Sequence, residues 1–416
     1  MKSDHPFQTL ASSHMLPGGL PSALPFAEAR YIIRGKGGRC WDQLGKVYID
    51  FICGYGPVIL GHSHAKVNAA VIKQLERGIL FPSHSPLYDE LNAKLKQLFP
   101  HGDETLFLKT GSEAVAAAMR LARAFTGKMK IIRCGFHGWH DAMISPSISW
   151  HLYEPDPQLP RLIAGIPSYL SQDVLSWNGE DFQQLVDLCD VHCAEVAALI
   201  IDPIQIREPV EENLKQLRRL TQNQGMLLIL DEIKTGFRVS MGGIQQLYGV
   251  QADLTILSKA IANGFPLAVV LGRKEILSLA TSIRIMGTYN NELASVAAAL
   301  MTISILERSG SLTWLWTAGQ LLIDGLNEIL NRKQRIDDVC AKPYRWPCLP
   351  TLWYRQHSES AKRLMPVLQY ELAHRGLLLL ANHPSYICVE HTHNDIEKAL
   401  QIFEDSMNEC LKTGKG

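Results

Sequence analysis

Apolar residues along this chain gather in short runs bounded by charged or turn-forming residues, at spacings that predict strands alternating with helices. Leu227–Leu230 and Leu254–Leu257 are rich in Leu and Ile, and Thr105–Lys109, Lys130–Arg133, Val196–Ile201 and Pro266–Leu271 read similarly. Runs apolar throughout are what strands covered on both faces require, so a mostly parallel sheet is expected. Between them the period changes. Ala114, Ala118, Leu121, Ala122 and Phe125 recur at three- and four-residue spacing, predicting a helix from Glu113 with one buried face. Glu211–Gln224 reads as a crossover helix joining Val196–Ile201 to Leu227–Leu230, a right-handed βαβ unit by default. Ala294–Leu306 predicts another helix, and Gly45-Lys46 a hairpin turn between short strands. Residues 145–170 are Pro-rich without a clear period and read as a long loop over a functional site.

A chain of 416 residues exceeds what one hydrophobic core usually serves. The expectation is an α/β protein with a large domain over 61–305, built on the mostly parallel sheet. A smaller α/β domain draws on both chain ends, 1–60 and 306–416. Lys plus Arg and Asp plus Glu each number 41, so the formal net charge is zero and gives no support for nucleic-acid binding. No apolar run approaches the ~18 residues of a membrane span. The first residues, MKSDHPFQTLASSH, lack the apolar core of a signal peptide, so a cytoplasmic location is expected. The nine cysteines are scattered from Cys40 to Cys410, and Cys189 and Cys193 have no second pair to complete a zinc site. Free thiols and no bound metal are expected.

Two apolar runs end in charge: Leu227–Leu230 in Asp231, and Leu254–Leu257, one residue on, in Lys259. Charge at the end of a buried strand implies a pairing partner, exposure at a loop, or a chemical task. Thr110-Gly111-Ser112 stands at a predicted helix start. That is either an ordinary N-cap or an anion site made of backbone N–H groups, a hydroxyl and the positive end of the helix dipole.

Asp231-Glu232-Ile233, then Thr235-Gly236-Phe237-Arg238, then Ser258-Lys259 followed by Asn263-Gly264, resemble the class III pyridoxal-phosphate aminotransferases. The resemblance extends over roughly residues 15–408 and is to the branch containing glutamate-1-semialdehyde aminomutase. It implies fold type I, pyridoxal 5′-phosphate as cofactor and a homodimer with shared active sites. By the same resemblance Lys259 forms the Schiff base and Asp231 pairs with the protonated pyridine nitrogen, keeping the ring an electron sink. Ile233, read as lying on the same strand face as Asp231, packs against the ring. Thr110, Gly111 and Ser112 grip the phosphate. Phe136, in Phe136-His137-Gly138 where relatives have Tyr-His-Gly, stacks on the ring. Thr288, in Gly287-Thr288-Tyr289, reaches the phosphate in the neighbouring subunit. Asp202-Pro203 stands for the family's Glu-Pro. Lys234 replaces Met or Gln, and either lowers the pKa of Lys259 as a second cation or faces away as an exposed lysine.

The substrate side departs further. Gly18, Gly19 and Ser22 match the aminomutase pattern, but Pro25 stands where its carboxylate-binding Arg would be, leaving Arg30 or Arg34 as substitutes. Tyr55 takes the place of a substrate-facing Trp, or else serves packing, and His383 falls near a substrate-facing Glu. These changes imply an aminotransferase moving an amino group from a small-molecule donor to a carbonyl acceptor other than glutamate-1-semialdehyde, such as a sugar-like or secondary-metabolite intermediate. The alternatives are the aminomutase itself and a non-catalytic binding protein, the last opposed by the intact Lys259 and Asp231.

Overall fold

A computed structural model of the chain describes residues 31–144, 165–308, 310–355 and 357–412. By internal contacts these residues form two units, one of 31–64 with 313–412, the other of 65–144 with 165–312. No helix among the described residues is long and apolar enough to cross a membrane.

The first unit opens with an antiparallel meander, β1 (Ile32–Lys36), β2 (Arg39–Asp42) and β3 (Val47–Asp50). The β2–β3 turn is the hairpin expected at Gly45-Lys46. Gly45 sits at φ +81°, open to glycine without strain, and the Asp42 carboxylate accepts from the N–H groups of Leu44 and Lys46.

The second unit holds the large sheet: β4 (Glu104–Leu108), β5 (Lys130–Cys134), β6 (Val174–Ser176), β7 (Val196–Ile201), β8 (Leu227–Asp231), β9 (Leu254–Leu257) and β10 (Ala268–Gly272). Their spatial order is β4-β10-β9-β8-β7-β5-β6. From β6 through β9 every pairing is parallel, and β10 runs antiparallel to both of its neighbours. Every residue of β7, β8, β9 and β10 is buried, which is why those runs carry no polar alternation. The helix Val210–Asn223 crosses from β7 to β8 as expected. The helix Gly111–Thr126 packs Ala114, Ala118, Leu121 and Ala122 onto the sheet. Phe125 is a correction: it is 37% exposed, with the Arg273 guanidinium 5.5 Å over its ring instead of a core contact. Ala294–Arg308 is helical as the period predicted.

Returning to the first unit, β11 (Val339–Tyr344) and β12 (Trp346–Tyr354) form a hairpin, and β13 (Leu377–Leu378) joins β3 in parallel. The helices Glu359–Arg375 and His393–Lys412 pack on one another. The opening loop with Gly18, Gly19, Ser22, Pro25 and Arg30, and most of the Pro-rich segment, 145–164, lie outside the described residues. Of the remainder of that segment, Ser168–Ser171 begins a short 3-10 turn.

Candidate active site

Strands β7, β8 and β9 lie side by side and parallel, so their carboxyl ends open on one edge of the sheet. Asp202 follows β7, Asp231 ends β8, and Lys259 stands two residues beyond β9. The next strand on the other side of β7, β5, ends at Cys134 and delivers the loop Phe136-His137-Gly138 to the same edge. Crevices at the carboxyl ends of such strands are where open α/β sheets bind ligands.

Asp231 is 3% exposed, and its Oδ2 lies 2.7 Å from His137 Nδ1. His137 Nε2 lies 2.9 Å from the Cys134 carbonyl. The second Asp231 oxygen accepts from Ile233 N–H at 3.2 Å, an Asx turn that ends the strand. Ile233 is therefore past β8, and the period-of-two argument that placed it on the face of Asp231 does not apply. Its side chain instead lies against Gly111, where an added Cβ would come within 2.7 Å of Ile233 Cδ1.

Lys259 is partly exposed and sits on left-handed backbone, φ +44°, a conformation that costs a non-glycine residue and concentrates at functional sites. Desolvation of the amine and the neighbouring Lys234 ammonium pull it down to about 7; Arg238 acts in the same direction, and Asp202 and Asp231 act against it. Lys234 is buried, which overturns its reading as an exposed strand-end lysine. It forms an ion pair with Asp202, and its ammonium stands 5.6 Å from the Phe136 ring centroid. Burial pushes the Asp202 carboxyl up, and Lys234 offsets part of that.

The helix Gly111–Thr126 begins with a capping box. Thr110 Oγ1 accepts from Glu113 N–H, and the Glu113 carboxylate accepts from Thr110 N–H. This tightened start is why the helix begins two residues before the expected Glu113. The Thr110 hydroxyl oxygen thus serves the helix, and the N–H groups of Gly111 and Ser112 have no acceptor among the described residues. Gly138, at φ +92°, lies over Ser112, where a Cβ would fall 2.2 Å from its Oγ. Thr288 is exposed in the same unit, on a segment with exposed Met286 and Tyr289.

In the other unit, Tyr55 and His383 meet edge to face at 5.5 Å between centroids. Tyr55 takes φ +64° within a run, Cys53 to Gly56, that is left-handed at every residue, and a Cβ on Gly56 would strike the Tyr386 ring at 2.6 Å. Arg34 is exposed, its guanidinium 4.7 Å over the Trp41 ring. Cys53, Cys388 and His391 bring their donor atoms within 4.8 Å of one another in the interior, a cluster that sequence spacing did not show. His391 Nδ1 accepts from Cys388 N–H at 3.0 Å, so that lone pair is already used.

Comparison with known proteins places this geometry in a family. Residues 26–344 match the aminotransferase class-III family, and the chain belongs to it. It is a pyridoxal-phosphate-dependent enzyme with the fold type I transaminase architecture. Over 96% of both chains it is 30% identical to a 3-aminobutyryl-CoA aminotransferase of Cloacimonas acidaminovorans. It is 32% identical to a glutamate-1-semialdehyde 2,1-aminomutase of Archaeoglobus fulgidus, over 95% of this chain and 97% of that one. An omega-transaminase from Sphaerobacter thermophilus superposes with a TM-score of 0.84 at 25% identity, covering 95% of each chain.

Proposed function

We propose that the chain is an aminotransferase that moves an amino group from an external amine donor to a carbonyl acceptor other than glutamate-1-semialdehyde. The observation that carries the chemistry is Lys259: an amine pulled down to about 7, on left-handed backbone, beside the strand that ends in the Asp231–His137 pair.

The residues fit pyridoxal phosphate. N–H groups at Gly111 and Ser112 that have no acceptor among the described residues, together with the Ser112 hydroxyl, suit a phosphate at a helix start, with Thr110 beside them. Gly111 and Gly138 keep that place open, Phe136 and Ile233 offer apolar surfaces for a ring, and Asp231 offers a carboxylate to a pyridinium nitrogen. When bound, the cofactor supplies an aldehyde that condenses with amines and a ring that withdraws the electron pair released at the amine-bearing carbon. Lys259 would hold the cofactor through Nζ and, once an incoming amine displaces it, would take up the proton released at that carbon and pass it on. Asp231 would keep a proton on the pyridine nitrogen, and His137 holds the carboxylate that would do so. We read the assembly as a homodimer in which exposed Thr288 completes the phosphate site of the partner. Nine free thiols fit a cytoplasmic location.

For the acceptor, support comes from Pro25, which has no donor for a carboxylate, and from the aromatic Tyr55–His383 pair. His383 Nδ1 donates to the Pro384 carbonyl at 2.9 Å, which holds the ring. The relative named for an aminobutyryl-CoA points the same way, because a thioester has no free carboxylate for an Arg to grip. The aminomutase reading rests on the relatives of that name. Incubation with glutamate-1-semialdehyde and no donor separates the two. We expect no 5-aminolevulinate, and nitrogen-15 transfer from labelled amines to non-carboxylate carbonyl compounds; rapid 5-aminolevulinate formation overturns the proposal.

A further inference from the structure

We infer that Cys53, Cys388 and His391 form a structural site for a thiophilic closed-shell cation, zinc(II) or copper(I). The inference does not depend on the reading of Lys259 or of the acceptor, and it departs from the expectation of no metal that cysteine spacing gave.

The three donor atoms lie within 4.8 Å of one another, on residues that are 1%, 0% and 1% exposed. Two sulfurs and an imidazole nitrogen are a soft donor set, which selects zinc or copper(I) over the hard cations that take oxygen. A tetrahedral zinc, with bonds of about 2.3 Å to sulfur and about 2.0 Å to nitrogen, holds its ligand atoms roughly 3.5–3.8 Å apart, so side-chain movements of about 1 Å would close the site. Binding releases the two thiol protons, and the thiolates then offset the charge of the buried ion.

Each donor is already held in place. Cys53 takes left-handed backbone, φ +49°, which costs a residue other than glycine and concentrates at functional sites. The Asp50 carboxylate accepts from its N–H at 3.0 Å. The Cys53 sulfur stands 3.2 Å from the Asp50 carbonyl and 3.4 Å from the Tyr386 carbonyl, and either oxygen is near enough to supply zinc with a fourth ligand. His391 N–H donates to the Cys388 carbonyl at 3.1 Å, a turn that brings those two side chains together. The His391 ring stacks on Phe51, 4.5 Å between centroids, and fits against Gly38, where a Cβ would fall 2.3 Å from its Cδ2. Its Nδ1 accepts from Cys388 N–H, so a neutral ring carries its proton on Nε2, which is buried and has no partner among the described residues. An unsatisfied buried polar atom calls for a reason, and a bound ion beside it is one. The ion would take over the Nδ1 lone pair from the Cys388 N–H.

Cys53 opens the left-handed run that carries Tyr55, and Cys388 follows the segment that carries His383 and Tyr386. An ion on both would tie together the two stretches of chain that meet at the Tyr55–His383 contact. Its role is thus to hold that aromatic pair, not to take part in the transfer.

The test uses the reduced, cofactor-loaded full chain, incubated with zinc ions or, without oxygen, with cuprous ions, then washed with a weak chelator and assayed for metal by mass spectrometry. About one retained ion per chain is expected. Retention of zinc indicates a fourth donor, and retention of cuprous ion alone a three-coordinate site; either supports the inference. Cys53→Ser, Cys388→Ser and His391→Phe should each weaken retention at least about tenfold, the least that disturbing a metal's surroundings costs. Cys193→Ser, at an exposed thiol, should leave it unchanged. No retained ion, or retention that survives both cysteine substitutions, overturns the inference. So does a Cys53–Cys388 disulfide in peptide maps of the freshly purified parent. Should the variants fail to fold, X-ray absorption of the ion-loaded parent decides: a shell with two sulfurs supports the site, and one of oxygen and nitrogen alone refutes it.

Discussion

His137 faces an acceptor through each ring nitrogen, the Asp231 carboxylate at 2.7 Å and the Cys134 carbonyl at 2.9 Å. A carbonyl only accepts, so Nε2 carries a proton, and a second proton is shared between Nδ1 and Asp231. The imidazole therefore clamps the carboxylate in one orientation while Ile233 N–H holds its other oxygen. Asp231→Asn is expected to bind cofactor and slow exchange of the proton on the amine-bearing carbon by orders of magnitude, since such electrostatic stabilisation is worth about 3 kcal/mol or more. His137→Phe should cost both turnover and stability, because it leaves Asp231 buried without its main partner. Exchange measured by NMR in deuterated buffer checks both, and near-normal exchange in Asp231→Asn would refute the role.

Lys259→Ala should lose turnover and retain cofactor only noncovalently. Borohydride reduction of the parent protein followed by peptide mapping should label Lys259. A label on Lys234, a buried lysine at this edge of the sheet, would move the assignment there.

The helix start makes a graded prediction. Ser112→Ala should weaken cofactor binding by about 1 kcal/mol or more, as loss of a hydrogen bond to a charged group does. Gly138→Ala should weaken it further, because the new methyl falls on Ser112 Oγ and the backbone is left-handed there. Equilibrium dialysis with the cofactor gives both affinities, and circular dichroism separates them from unfolding. If Thr288 serves the neighbouring subunit, dilution to monomer should release cofactor; a monomer that holds it fully excludes the shared site.

Glu232 predicts a pH dependence of stability. Its carboxyl is fully buried, accepting from Thr235 Oγ1, from Ile244 N–H at 3.1 Å and from Gln245, and burial pushes it up to about 7. The folded value lies above the unfolded one, so the unfolded chain ionises first. Stability from this group is whole below the ordinary carboxylate range and is lost as pH rises from there towards 7. Glu232→Gln cannot ionise, so relative to it the parent should lose about 3 kcal/mol across that window. Urea unfolding of both proteins at about pH 4.5 and pH 7.5 measures the difference; equal slopes with pH would contradict it.

The strands of the large sheet were legible because β7, β8 and β9 are buried on both faces and so are apolar at every position. The lone antiparallel strand, β10, looked the same in sequence, since direction leaves no mark on a fully buried run. Asp231 and Lys259 stood out because charge ended apolar runs. Their partners did not. His137 lies 94 positions from Asp231, and Asp202 lies 32 from Lys234, so both pairings depend on strand order. Lys234 was legible as an anomaly and not as a buried ion pair, because nothing local distinguishes a buried lysine from an exposed one. Ile233 was misplaced for a local reason: the Asp231 side chain ends the strand by hydrogen-bonding two residues ahead. The Cys53–Cys388–His391 cluster joins distant segments and had no local signature.

Because Asp202, Asp231, Lys259 and His137 come from the ends of four neighbouring strands, no fragment ending before β9 contains the whole edge. Three of its strands can pair before Lys259 arrives, and each pairing must close a long intervening loop. Covalent uptake of the coloured cofactor should thus lag behind secondary structure during refolding, and its absorbance should time the docking of β9.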